Sequence, residues 1–196
     1  WFDKAAESGL DSAQFNVGMM YDEGQGVEQD DKKAFEWYEK AAEQGNAGAH
    51  NNLGVMYYTG EGVEQDDDQA FKWFDKAAES GLDSAQFNVG AMYYTGEGVE
   101  QDYVQAANWY EKAAEQGLAL AQYNLGVMYY DGKGVDQDYK KAFEWYERAA
   151  EQGDVEAQYN LGVIYEYGQG VERDYAQASE WYERAAEQGN VGAQYA

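Results

Sequence analysis

The six tryptophans of this chain, Trp1, Trp37, Trp73, Trp109, Trp145 and Trp181, stand 36 residues apart. The residues between them repeat as well. One copy reads Ala121-Gln-Tyr-Asn-Leu-Gly-Val-Met-Tyr-Tyr-Asp-Gly-Lys-Gly-Val135, and versions of it open at Ala13, Ala49, Ala85 and Ala157. The period holds without insertion. The 196 residues divide into full units 1–36, 37–72, 73–108, 109–144 and 145–180 and a partial one, 181–196. A fixed period of this length marks a stacked array, in which each unit is too small to bury its own apolar face and covers it with its neighbours. One repeat array from residue 1 to residue 196 is expected, with both ends cut inside a unit. Trp1–Gly18 and Trp73–Gly90 are identical over 18 residues, so these copies read as recently duplicated or deliberately idealised.

Apolar residues make up 44% of the chain and aromatic ones 16%, enough for a continuous core and against disorder. The 38 acidic and 13 basic residues leave a net charge of −25. Phosphate backbones need Lys and Arg, so nucleic acid is not an expected partner, and neither is an anionic membrane surface. A basic protein or peptide is favoured, or the charge serves solubility alone. No run approaches the roughly 20 apolar residues of a membrane span. There is no cysteine, which excludes disulfides, and no proline, so chain breaks fall to 23 glycines.

The unit beginning at Trp109 shows the plan. Trp109 to Gln116 completes a helix, which Gly117 ends in the left-handed C′ position. Helix A follows, roughly from Leu120 to Asp131, with Ala121, Leu125, Met128 and Tyr129 on one buried stripe. Gly126 interrupts that stripe at a cost of about 1 kcal/mol against Ala, so another helix must come very close there. Gly132-Lys-Gly-Val135 is a tight loop. It has no preceding strand and no following Lys-Ser/Thr, so it is not a nucleotide loop. Asp138, like Asp30, Asp66, Asp102 and Asp174, is placed to cap helix B. Helix B carries Ala142, Trp145, Tyr146, Ala149 and Ala150 inward, with Glu144–Arg148, Glu180–Arg184 and Glu36–Lys40 as surface i,i+4 pairs. The fold class is all-α: antiparallel helix pairs in a 36-residue repeat.

The pattern Ala-x-x-x-Leu-Gly-x-x-Tyr-x-x-Gly-x-Gly-Val-x-x-Asp-x-x-x-Ala-x-x-Trp-x-x-x-Ala-Ala-x-x-Gly fits Ala121 to Gly153 position by position and recurs along the chain. It resembles the Sel-1-like repeat family, relatives of the tetratricopeptide repeats. Departures are mild: Val17 and Val89 stand for Leu, and the paired cysteines of some bacterial members are missing. The resemblance implies a right-handed α-solenoid with helix A lining its concave face, and a scaffold or adaptor role in protein–protein assembly.

Positions that vary between copies must face solvent or a ligand. On helix A these form a second face. It carries Asn16, Asn52, Asn88, Asn124 and Asn160, the aromatics Phe15, Phe87, Tyr123 and Tyr159, and, a turn on, Tyr58, Tyr94 and Tyr130. An Asn amide both donates and accepts, so a ladder of them can pair with the backbone of any extended peptide, as similar asparagines do in tetratricopeptide domains. The same residues have an ordinary alternative. The asparagines can bond a neighbouring helix or loop, and the aromatics can pack against the next unit. A spacer or designed array without a ligand of its own is the competing reading of the chain.

No catalytic constellation is legible. The lone histidine, His50, stands where other units carry Gln and reads as a surface variant, and no serine has a recognisable His partner. Asp66-Asp-Asp68 lacks the alternating ligands of a calcium loop, and no metal or cofactor is expected. The cut ends, Trp1–Gly9 and the last 16 residues, are expected to fray or to associate end to end with another copy.

Overall fold

Short amphipathic helices joined by glycine turns set the architecture. The computed structural model describes Ala6 and residues 9–196, so most of the Trp1–Gly9 stretch expected to fray lies outside the described residues. Ten α-helices follow among the described residues, without strands. The A helices are α1 (Asp11–Glu23), α3 (Ala47–Thr59), α5 (Asp83–Thr95), α7 (Ala119–Asp131) and α9 (Val155–Tyr167). The B helices are α2 (Asp31–Ala42), α4 (Asp67–Glu79), α6 (Tyr103–Glu115), α8 (Tyr139–Glu151) and α10 (Tyr175–Glu187). Two compact units result. In residues 1–101, α1 to α5 pack consecutively, and in residues 102–196, α6 to α10 do the same.

Each B helix is started by its aspartate. Asp30 accepts from the backbone N–H of Lys33 at 3.1 Å, Asp66 from Gln69 at 3.0 Å, and Asp102, Asp138 and Asp174 each from two N–H groups. These bonds satisfy donors that the helix start leaves orphaned. The aspartate's own N–H turns back to helix A: Asp30 donates to the carbonyl of Tyr21 and Asp66 to that of Tyr57, both at 2.9 Å. The A–B loop is thereby tied to the helix that precedes it.

The glycine inside helix A is where helix B arrives. A Cβ on Gly18 would lie 2.6 Å from the ring of Tyr38, one on Gly54 2.5 Å from Phe74, and one on Gly126 2.7 Å from Tyr146. Gly162 meets Tyr182 in the same way. The second loop glycine has a different neighbour. Gly62, at φ 74°, lies against the backbone of Asp31, at the start of the preceding repeat's B helix. Neither position has room for a side chain.

Three expectations change. Trp37, Trp73, Trp109, Trp145 and Trp181 are half-buried at the edge of the core, and the fully buried aromatic is the next residue at Tyr38 and Tyr146. Each described tryptophan carries a cation over its ring: Lys40 lies 4.0 Å from the centroid of Trp37, Lys76 3.9 Å from Trp73, Lys112 3.5 Å from Trp109, and Arg148 and Arg184 4.5 Å from Trp145 and Trp181. Lys40 and Arg148 are laid over indole faces, where the ring quadrupole attracts them, in place of the expected pairing with Glu36 and Glu144. Glu180 and Arg184 do pair. Beyond α10, Ala193–Tyr195 forms a 3₁₀ turn where a sixth A helix was expected, since nucleating an α-helix is costly for a few residues.

His50 is the third change: it is buried, with 9% exposure, and not a surface variant. Its Nε2 lies 3.0 Å from the carbonyl oxygen of Ala42 and its ring 5.5 Å from that of Trp73. Gln14, Gln86, Gln122 and Gln158 occupy the same place, each donating its amide to the carbonyl eight residues back. A second glutamine closes the network, as Gln44 Nε2 does on Gln14 Oε1 at 2.6 Å, Gln152 on Gln122 and Gln188 on Gln158, both at 2.8 Å. Around His50 that second position is Ser80, which donates to the carbonyl of Lys76 instead. Nδ1 of His50 has no hydrogen-bond partner.

Two outcomes follow. Gly54→Ala, although it improves helix propensity by about 1 kcal/mol, is expected to lower stability by about 1–3 kcal/mol through overpacking on Phe74. Chemical denaturation checks this. Burial, with Lys76 nearby, lowers the His50 pKa below its ordinary 6.5. The stability carried by the neutral ring is therefore complete above that ordinary value and is lost as the pH falls below it toward the depressed folded value. Melting curves between about pH 7 and pH 5 should show a steeper loss for wild type than for His50→Gln.

Candidate functional site

Charge is segregated by helix type. None of the five A helices contains Lys or Arg. The B helices hold ten of the chain's cations, three each on α2 and α8, two on α4, and one each on α6 and α10. The A helices carry Asp11, Asp22, Glu23, Asp83, Asp131, Glu156 and Glu166. A repeated buried stripe (Ala13, Gln14, Val17 and Gly18 on α1) turns one face of each A helix into the core. The predicted site residues lie on the other.

The structure places all five asparagines half-buried in one register on α1, α3, α5, α7 and α9. Their contacts differ. Asn52 faces the hydroxyl of Tyr38, and Asn160 faces those of Tyr146 and Tyr123. Asn88 donates to Oδ1 of Asn51 at 3.3 Å. Asn16 borders a cleft with Met19, Met20, Glu23 and Gln25. Phe15, Tyr123 and Tyr159 rest on the tyrosine ring of their own B helix. Centroids are 5.7 Å apart for Phe15 and Tyr38, 5.9 Å for Tyr123 and Tyr146, and 5.6 Å for Tyr159 and Tyr182. Each is half-buried, so packing and an accessible edge coexist.

Tyr58 and Tyr130 reach into the next repeat. Tyr58 donates to Glu97 Oε2 and Tyr130 to Gln169 Oε1, both at 2.9 Å. Glu97 and Gln169 are the middle residues of Gly-x-Gly loops. Tyr94 is half-buried, and its carbonyl accepts from Gln101 Nε2 at 2.9 Å. On α1 and α9 the position holds Asp22 and Glu166, which accept from the hydroxyls of Tyr38 and Tyr182 at 2.9 and 2.7 Å. Burial pushes the Tyr38, Tyr146 and Tyr182 phenols far above the usual range, and for Tyr38 and Tyr182 the bonded carboxylate adds to it. They stay neutral donors.

Two clefts of this face match in register, one in each unit. In residues 1–101 a cleft of about 260 Å³ is bordered by Val55, Tyr58, Phe74, Phe87, Asn88 and Ala91, with Met92, Thr95 and Glu97 beyond. In residues 102–196 a cleft of about 390 Å³ is bordered by Val127, Tyr130, Tyr146, Tyr159, Asn160 and Val163, with Tyr123 and Asp131. The six leading positions correspond one to one, two repeats apart. The structure thus gathers Asn88, Phe87 and Tyr58 around one cleft, and Asn160, Tyr123, Tyr130 and Tyr159 around the other. The outer parts of Phe74 and Tyr146, which single-chain periodicity assigned wholly to the core, complete the two sites. Their signal was the alternation of Tyr and Phe at one buried register.

Half-buried amides, aromatic edges and one carboxylate at each cleft, Glu97 and Asp131, are groups able to hydrogen-bond, stack and attract a cation. Among the described residues no cluster of His, Asp and Glu could hold a metal ion, and no helix is long and apolar enough to cross a membrane.

The family model described as Sel1 repeat matches residues 1–10, 11–46, 47–82, 83–118, 119–154 and 155–190. No curated protein matches the chain significantly. Among solved structures, a protective antigen present in uropathogenic Escherichia coli strains and displaying an SLR fold is 45% identical, with a TM-score of 0.96 over 99% of this chain. The chain spans 42% of that protein's length. A Sel1 repeat protein from Oxalobacter formigenes is 42% identical, with a TM-score of 0.87, covering 95% of this chain and 76% of that one. Helicobacter pylori cysteine rich protein B is 30% identical, with a TM-score of 0.52, covering 66% of this chain and 92% of that one.

Proposed function

The chain belongs to the Sel1 repeat family, and from that footing we propose that it is a protein–protein interaction scaffold whose A-helix face captures an extended, basic segment of a partner protein. The family's repeats generally serve as protein-interaction scaffolds of a non-catalytic class. The observation that carries the finer reading is the repetition, in both units, of a cleft bordered by the face asparagine and the face aromatic. Charge adds to it. A face without Lys or Arg, on a chain of net charge −25, attracts basic segments and repels acidic ones. Phe15, Phe87, Tyr123 and Tyr159 then act as edges against which partner side chains stack, and Asn16, Asn52, Asn88, Asn124 and Asn160 as backbone partners.

The identical copies Trp1–Gly18 and Trp73–Gly90 favour a second reading, a spacer with no ligand. One experiment separates the two. A random-peptide library is panned on the immobilised protein, and recovered peptides are titrated against wild type and against the Asn88→Ala, Asn124→Ala, Asn160→Ala triple variant. The scaffold reading expects Lys- and Arg-rich peptides whose affinity falls at least about tenfold in the variant, with helix content unchanged by circular dichroism. No enrichment, or equal affinity for both proteins, would overturn it.

A further inference from the structure

The clefts share a register but not a chemistry. Where the cleft in residues 102–196 has Tyr123, Tyr146 and Tyr159, the one in residues 1–101 has Asn51 beside it and Phe74 and Phe87 in its wall. Phe74 stands, like Phe2, at a position where the four other repeats carry Tyr38, Tyr110, Tyr146 and Tyr182. Without that hydroxyl, and with Asn51 in place of a ring, the wall is Val55, Phe74, Phe87, Ala91 and Met92. The cleft's one charged residue is the exposed Glu97, whose Oε2 also accepts from Tyr58 at 2.9 Å and from Thr95 Oγ1 at 3.2 Å. A volume of about 260 Å³ falls below the roughly 300–1,000 Å³ usual for small-molecule sites, and suits one large side chain.

We propose that this cleft is the specificity pocket of the scaffold: it takes one bulky apolar side chain, such as Leu, from an extended partner segment in which the adjacent residue is Lys or Arg, paired with Glu97. The inference rests on the scaffold reading and adds to it the residue class that is read. An apolar wall gains from excluding water around a hydrocarbon side chain, and a carboxylate at its rim discriminates by charge sign. A tyrosine hydroxyl at position 74 would bring a polar group into the wall and weaken that preference.

The test titrates isotope-labelled wild-type protein with Gly/Ser peptides carrying a central Leu-Lys, Ser-Lys or Leu-Glu pair, following the backbone amides of Ala91, Met92 and Thr95 by NMR. Leu-Lys is expected to bind about tenfold more tightly than either of the others. Phe74→Tyr, a residue already accommodated in four repeats, should weaken Leu-Lys about fivefold and leave Ser-Lys unchanged. Glu97→Gln should erase the preference for Leu-Lys over Leu-Glu. Equal binding of all three peptides, or shifts confined to Val127 and Val163, would overturn this inference while asparagine-dependent library binding left the scaffold reading standing. Failure of every peptide, the panned ones included, would remove both.

Discussion

A ring seated on a glycine sets the geometry of the whole chain. Tyr38 on Gly18, Phe74 on Gly54, Tyr146 on Gly126 and Tyr182 on Gly162 are one contact repeated, and each fixes how close a B helix comes to its A helix. A glycine inside a helix costs about 1 kcal/mol, which the burial of an aromatic side chain, worth roughly 1.5–3 kcal/mol, more than offsets. The contact also aims the ring. Its far edge emerges among the A-helix residues, where the hydroxyl of Tyr38 meets Asp22 and Asn52 and the bare edge of Phe74 walls a cleft. Helix packing and the cleft wall therefore use opposite edges of the same side chain, so a change at this position alters both.

Charge follows from the same division. Helix B turns its small residues and one ring inward and leaves Trp at the boundary, where Lys or Arg lies flat on the indole. These cations are held on B-helix surfaces, away from A-helix positions that bear only acids. The strongly negative net charge is thus unevenly distributed, and the face least able to repel a basic segment is the one that carries the clefts.

Much of the fold is legible in the residues themselves. The 36-residue period, the Asp caps, the Gly turns and the stripe of Ala121, Leu125 and Met128 place ten helices within a residue or two. Periodicity does not decide between neighbours, however. Trp37 and Tyr38 are both large and apolar-bodied, and only the position of Gly18 determines which of them enters the core. His50 escaped for another reason. A polar residue next to an invariant Ala looks solvated until the carbonyl eight positions back is seen to need a donor. The candidate face was legible as variation between copies, but the link from Tyr58 to Glu97 depends on how one repeat sits on the next, which no local pattern encodes.

The two identical stretches, Trp1–Gly18 and Trp73–Gly90, bear on how such a chain changes its length. Among the described residues, side-chain bonds between neighbouring repeats reach over 30 to 39 positions, as from Gln44 to Gln14, Asn46 to Asp11, Asn88 to Asn51 and Tyr58 to Glu97. Splicing the chain from Gly18 directly to Ala91 would leave the local sequence at the join as it is now after Gly90. The excised piece would contain Asn51, Val55, Phe74 and Phe87. Recombination between these copies is thus a route by which the protein can lose two repeats without a register error, and in the same event lose the cleft walled by Phe74 and Phe87.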